Sequence, residues 1–201
     1  MKDSEIMSKL LELLADFGEV ALDVTLEEGL LKDIPVIGSA IKIATITKNI
    51  PNQLFLSKMK RFLQKIDKIS QEDKENFIQD LDSKPELKSK VGEYLVLIID
   101  RLDDMDKTDI LAELFIKYVK NNIDLETFRR LASAIDIAFI EDIKALIMNS
   151  SDNQCLINLV RSGLSVVSST GVPAMAFGGN VIHIGVHISD IGNLFIKLMN
   201  E

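Results

Sequence analysis

SGLSVVSSTGVPAMAFGGNVIHIGVHIS, residues 162–189, contains no Asp, Glu, Lys or Arg, and six of the ten glycines of the chain fall between Gly163 and Gly192. Glycine weakens a helix, and a helix in water needs a charged face, so this stretch is not a solvated helix. Its β-branched residues, Val166, Val167, Val172, Val181, Ile182, Ile184, Val186 and Ile188, favour strand, and Gly178-Gly179-Asn180 has the composition of a hairpin turn. On the second strand Ile182, Ile184, Val186 and Ile188 share one face, which is expected to be core. Val181, His183, Gly185 and His187 share the other. Asp190 is expected to cap a last helix carrying Ile191, Leu194, Phe195 and Leu198.

Upstream, the apolar periodicity is helical. Ile6, Leu10, Leu13, Leu14 and Phe17 recur at three- and four-residue steps, and Gly29 offers a stop. Pro35 suits the first turn of a second helix, whose broad apolar surface carries Ile34, Ile37 and Ile41. Pro51 breaks the pattern, and Leu54 to Ile66 resumes as a basic amphipathic helix. Ser70 caps a helix running to about Leu81, separated by Ser83-Lys84-Pro85 from one over Leu87 to Leu102. There Val91, Leu95, Ile98 and Ile99 form a stripe, which Tyr94 and Leu97 are expected to widen. Another helix follows over Lys107 to Lys120. Asp124 caps a long one with Phe128, Leu131, Ile135, Phe139, Ile143 and Leu146 inward. Asn149-Ser-Ser-Asp-Asn153 reads as a linker. The expected fold is mainly α, a multi-helix bundle with a small C-terminal β-hairpin. It comprises a helical domain over 1–149 and a C-terminal unit over 150–201, the latter either separate or packed with 107–148 as one domain.

The order helix, Gly163, strand, turn, strand, helix, preceded by the helices around 125–148, matches a winged-helix layout. The run Leu156-x-x-Leu159-x-x-x-Gly163-Leu164, followed by Ile188-Ser189-x-x-Gly192-x-x-Phe195, resembles the C-terminal end of the bacterial abortive-infection alpha proteins. That resemblance covers only the tail. It implies a helical protein with a small winged end and a role in defence against phage, and it brings no catalytic residues.

Thirty-one acidic against 23 basic residues give a net charge of −8, which disfavours diffuse binding to nucleic acid or an anionic membrane. There is no tryptophan, and aromatics are 5% of the chain, so stacking platforms are scarce. The start of the sequence is acidic within five residues and lacks the apolar core of a secretory signal, so a cytoplasmic location is expected. The single cysteine, Cys155, excludes an intrachain disulfide and is expected as a small buried apolar residue. His183 and His187 lie about 13 Å apart on a strand, too far to share one metal ion. The cluster Asp100, Asp103, Asp104, Asp106 and Asp109 fails as a calcium loop, because counting from Asp104 puts Asp109 at the glycine position and Phe115 at the glutamate position. It is expected as a solvated, helix-capping turn. Ser189 and Asp190 adjoin His187 without the geometry a triad needs.

These readings point to a non-enzymatic cytoplasmic protein without cofactor or metal. It works by contact with a protein partner or a second copy of itself, a homodimer, through Val181, His183, Gly185, His187 and Ile188. An alternative is a membrane-active effector using segment 29–50 through Ile34, Ile37 and Ile41. A second alternative is a winged-helix DNA-binding regulator using Arg129, Arg130 and Arg161, disfavoured because the wing carries no cation.

Overall fold

The structure, a computed structural model, describes residues 53–82, 85–174 and 179–201. Within them the chain is mainly helical, with one two-stranded antiparallel hairpin near the C-terminus. It divides into two compact units between Asn122 and Ile123. The helices expected before Pro51, and the segment 29–50 with Ile34, Ile37 and Ile41, lie outside the described residues.

The first unit contains α1 (Gln53–Ile66), α2 (Gln71–Asp82), α3 (Pro85–Arg101) and α4 (Met105–Val119). On α1, Phe55, Met59, Phe62, Leu63 and Ile66 recur every three or four residues, and all are buried. That stripe lies along α4, which buries Leu111, Leu114, Phe115 and Tyr118 in return. The Phe62 and Phe115 rings meet at 5.5 Å, and Phe77 of α2 stands edge-on to Tyr118 at 5.3 Å. Such tilted and edge-to-face pairs add to simple burial. Burial also pushes the Tyr118 phenol up to about 12.

Helix starts follow the side chains the sequence offers. The Asp73 amide donates to Ser70 Oγ at 3.1 Å, while the Ser70 hydroxyl donates to the Asp73 carboxylate at 2.7 Å. On α3 the stripe of Val91, Leu95, Ile98 and Ile99 is buried as expected, but Leu97 is 63% exposed. The helical pitch turns position 97 to the side opposite Leu95 and Ile99, so it cannot widen that stripe.

A polar layer ties α1 to the start of α4. Arg61 grips Asp109 with two parallel bonds, Nε to Oδ1 at 2.8 Å and Nη2 to Oδ2 at 2.7 Å, and reaches Asp106 at 3.0 Å. The bond to Asp109 is the chief reason its guanidinium pKa is raised. Lys65 pairs with Glu113 at 3.3 Å. Lys58 is buried, and its Nζ donates to the carbonyls of Asp100 and Leu102, each at 2.7 Å. A cation there satisfies oxygens that the end of α3 leaves without intrahelical partners. Asp104 caps α4 by accepting from the Asp106 amide at 2.7 Å. Asp103 pairs with buried Lys107 at 2.7 Å, a hydrogen bond that holds its carboxyl below the usual carboxylate range. The acidic cluster caps a helix as expected, through Asp104, and Asp103 stays largely exposed, but Asp106 and Asp109 are also stitched to Arg61 because the basic face of α1 packs against them.

The second unit opens with α5 (Leu125–Ile137), α6 (Ile140–Ile147) and α7 (Asn153–Leu159), the last running into a 3₁₀ turn, Val160–Ser162. It closes with β1 (Ser165–Ala174), β2 (Gly179–Ile188) and α8 (Asp190–Asn200). Asp124 caps α5, accepting from the Thr127 amide at 2.8 Å, and that bond lowers its carboxyl pKa. The single long helix expected through Leu146 is two helices. Ala138 adopts ψ 151° and Phe139 is 66% exposed, while Ile135, Ile140, Ile143 and Leu146 are all buried. The break re-aims the second stripe, so that α6 packs against α7 and α8.

The turn after α7 ends at Gly163, whose φ of 80° suits glycine. Pairing then runs from Ser165 opposite Ile188 to Ala174 opposite Gly179. Gly179 and Asn180 are thus strand residues, not the turn their composition predicted. Three interactions close the base of this hairpin. The Ser189 amide donates to the Leu164 carbonyl at 3.0 Å. The Ser189 hydroxyl donates to the Gly163 carbonyl at 2.6 Å and accepts from the Gly192 amide at 3.0 Å. Ser189, rather than Asp190, is therefore the cap of α8. At Gly192 a Cβ would collide with the Leu164 carbonyl and stand 2.8 Å from Ile188 Cγ2.

Three outcomes follow for stability, read from urea unfolding midpoints. Gly192→Ala should lose about 2 kcal/mol or more by overpacking against backbone. Gly185→Ala, where the nearest atom is Ser168 Oγ at 3.7 Å, should change little. Lys58→Met keeps the stem but strands two carbonyls, and should cost about 2 kcal/mol.

Candidate functional site

Among the described residues the hairpin is anchored at its base. At its base Leu164, Ser165, Phe195 and Leu198 are buried, and the Ser165 hydroxyl donates to the Leu156 carbonyl of α7. One step along the same face, Val167, paired with Val186, is 50% exposed, and Ile184, paired with Ser169, is 73% exposed. Of the face expected to be core, Val186 and Ile188 are half-buried and Ile184 is exposed. Among the described residues the sheet has two strands, and its alternation runs on from the covered base to exposed Val167 and Ile184. On the other face Val166 is also exposed, and Ser168 Oγ lies 3.2 Å from His187 Nδ1.

The expected contact residues Val181, His183, Gly185, His187 and Ile188 all stand on β2. Val181 pairs with Val172 and His183 with Thr170. Gly185 and His187 are exposed and Ile188 is half-buried. The exposed apolar side chains that sequence reasoning missed as surface are Val166, Val167 and Ile184. Their signal was present in the absence of any charge around them, but alternation alone does not say whether a face is covered.

Among the described residues the chemistry-bearing groups are otherwise engaged. Cys155 is buried, its thiol donates to the Asp142 carbonyl at 3.5 Å, and burial first, then Asp142, pushes its pKa up to about 11. Ser168 and His187 form an exposed pair to which no carboxylate is hydrogen-bonded among the described residues. No group of three or more His, Cys, Asp or Glu stands close enough to hold a metal ion among the described residues.

For the nucleic-acid alternative, Arg129 and Arg130 are exposed on α5, and Arg161 is exposed on the 3₁₀ turn that packs against α5. The outward residues of α7 are Asn153, Gln154, Ile157 and Asn158. Of these, Gln154 donates to Asn158 at 3.1 Å and Asn158 to the Asp142 carboxylate at 3.1 Å. That helix surface is polar but leans on an acid. Among the described residues, no helix is long and apolar enough to cross a membrane.

The residues that carried the C-terminal resemblance have a shared role. Leu159, Gly163, Leu164, Ser189, Gly192 and Phe195 build the hairpin base through the turn, the cap and the core beneath it. Comparisons with protein-family models, with curated proteins and with solved structures find no match to this chain.

The Cys155 geometry has a direct readout. With the thiol pKa near 11, the thiolate is scarce at neutral pH. Alkylation of the native protein should run far slower than that of a free thiol, and should reach the ordinary rate only in denaturant. A fast native reaction would show the thiol to be accessible.

Proposed function

We propose that this protein works by contact rather than by catalysis, and that the uncharged hairpin is its contact surface. The observation that carries this reading is the pairing of complete charge absence over residues 162–189 with exposed Val166, Val167 and Ile184 on an anchored ribbon. Apolar surface rimmed by polar residues marks interaction sites, and the edges of a two-stranded hairpin can offer main-chain hydrogen bonds as well as side chains. A winged-helix reading of the element order in the second unit would be compatible with this use, since winged units also bind protein. Duplex binding through Arg129, Arg130 and Arg161 has less support: β1 and β2 carry no cation to meet phosphate. A setting in bacterial defence against phage rests on the resemblance of the tail alone, and the contact reading does not depend on it. The cytoplasm is the proposed location.

The test uses tagged full-length chain, wild type and Ile184→Lys, expressed side by side. The wild type should retain a stoichiometric protein component, either a partner or an untagged copy of itself. Ile184→Lys should lose it, with unfolding free energy unchanged within about 0.5 kcal/mol, because the position is already exposed. Equal retention by both chains would remove the hairpin from the contact.

A further inference from the structure

We infer that the contact surface of the hairpin is switched by acid: its only ionisable side chains are imidazoles, so it is uncharged at neutral pH, turns cationic on mild acidification, and loosens its contact with that change. The inference rests on the contact reading above and adds its regulation.

Residues 162–189 contain no Asp, Glu, Lys, Arg, Cys or Tyr, yet His183 and His187, the only histidines of the chain, both fall there. Imidazole is the side chain whose ordinary titration lies between about pH 5 and 8. Carboxylates, lysines and arginines elsewhere keep their charge across that range. A surface without permanent charge therefore has one way to acquire it there.

His187 stands where a contact would meet it. It is exposed and pairs across the strands with Val166, itself 41% exposed. Its neighbour on the same face, Gly185, offers no side chain to shield the ring. A partner seated on Val166 thus covers the His187 ring as well.

The hairpin itself tolerates the added proton. Ser168 Oγ lies 3.2 Å from His187 Nδ1, and a hydroxyl can donate to a neutral ring nitrogen or accept from a protonated one. The ring can change charge with that bond kept in either state.

The surrounding elements supply no counter-ion bound to the ring. β1 carries no charge, and α7, which touches both strands, carries none between Asn153 and Leu159. Its cap, Asp152, accepts from the Cys155 amide at 2.8 Å. The 3₁₀ turn against β1 brings Arg161, a cation, while α8 brings Asp190 at its start and Lys197, which pairs with Glu201 at 3.7 Å. Among the described residues none of these is hydrogen-bonded or ion-paired to His187. An imidazolium under a partner would lose its water without a counter-ion from its own chain, so the covered state favours the neutral ring. Covering then excludes a proton, and affinity falls as the pH drops through the imidazole range. For an ordinary imidazole titrating near 6.5, the loss between about pH 8 and about pH 6 is about fourfold for each ring covered.

The experiment is retention of the full chain on phenyl-agarose, a neutral apolar probe, at about pH 8 and about pH 6, where Asp and Glu stay ionised. The wild-type retention factor should be about two- to fourfold lower at the acid pH. His187→Gln should lose much of that drop, and the double variant His183→Gln/His187→Gln nearly all of it. His187→Lys should elute at the higher pH as wild type does at the lower. The urea unfolding midpoint of wild type should be the same at both. Equal wild-type retention at the two pH values, a drop that persists in the double variant, or a fall in the unfolding midpoint that accounts for the drop would each overturn the switch. Ile184→Lys separates the two readings. If it lowers retention at the higher pH while wild type shows no response to acid, the switch fails and the contact reading survives. If it leaves retention unchanged there, the ribbon is not the apolar contact surface, and both fail.

Discussion

The second unit depends on one crowded point, where the Ser189 hydroxyl bridges the Gly163 carbonyl and the Gly192 amide. That oxygen does two jobs: it caps α8 and pins the end of β2 to the turn that starts β1. The contact demands a residue without Cβ at position 192, because α8 crosses directly over the Leu164 carbonyl. It also demands a positive φ at Gly163. Two glycines and one serine, far apart in sequence, thus fix where the hairpin leaves the helices. The described pairing, from Ser165 opposite Ile188 to Ala174 opposite Gly179, starts at that anchor.

Much of the helical order was legible because its signals are local. Ser70 and Asp124 are caps by residue type, and each accepts the amide three residues on. Periodicity correctly sent Val91, Leu95, Ile98 and Ile99 inward. Where legibility failed, the deciding partner was remote. Nothing in Ile137-Ala138-Phe139 announces a break, since neither glycine nor proline is there. The helix ends because Ile140, Ile143 and Leu146 must face a different set of neighbours. The choice of Ser189 over Asp190 as cap was equally hidden: both are good caps, and only the Gly163 carbonyl, 26 residues away, prefers a hydroxyl that can donate. An ionised carboxylate could accept from Gly192 but could not give a proton to that carbonyl.

The candidate site was half legible for a related reason. A strand pattern states which residues share a face, and the register confirms that Ile184, Val186 and Ile188 do. It cannot state how many layers the fold places against that face. Core was the natural reading for four aliphatic positions in alternation, yet Ile184 is 73% exposed. The acidic cluster misled in the opposite direction. Five aspartates around a turn look solvated until Lys58, Arg61 and Lys107 are placed beside them, and those come from α1 and from within α4.

Charge is segregated along the chain, and that segregation separates holding the fold from using it. In the first unit, ion pairs join helices; in the second, buried Phe128, Ile143, Leu159 and Phe195 form the core, and the ribbon contributes little to it. A ribbon that is not needed for the core can gain or lose a cover without unfolding the unit beneath. The pinned base fixes where the ribbon leaves the helices, so a contact near that base need not order the strand ends first, which lowers the entropic cost of association. The same arrangement carries a risk, because an uncharged strand edge invites uncontrolled pairing. That risk lies beyond the base, because at the base the Ser189 amide and hydroxyl and the buried Ser165 already engage the strand ends.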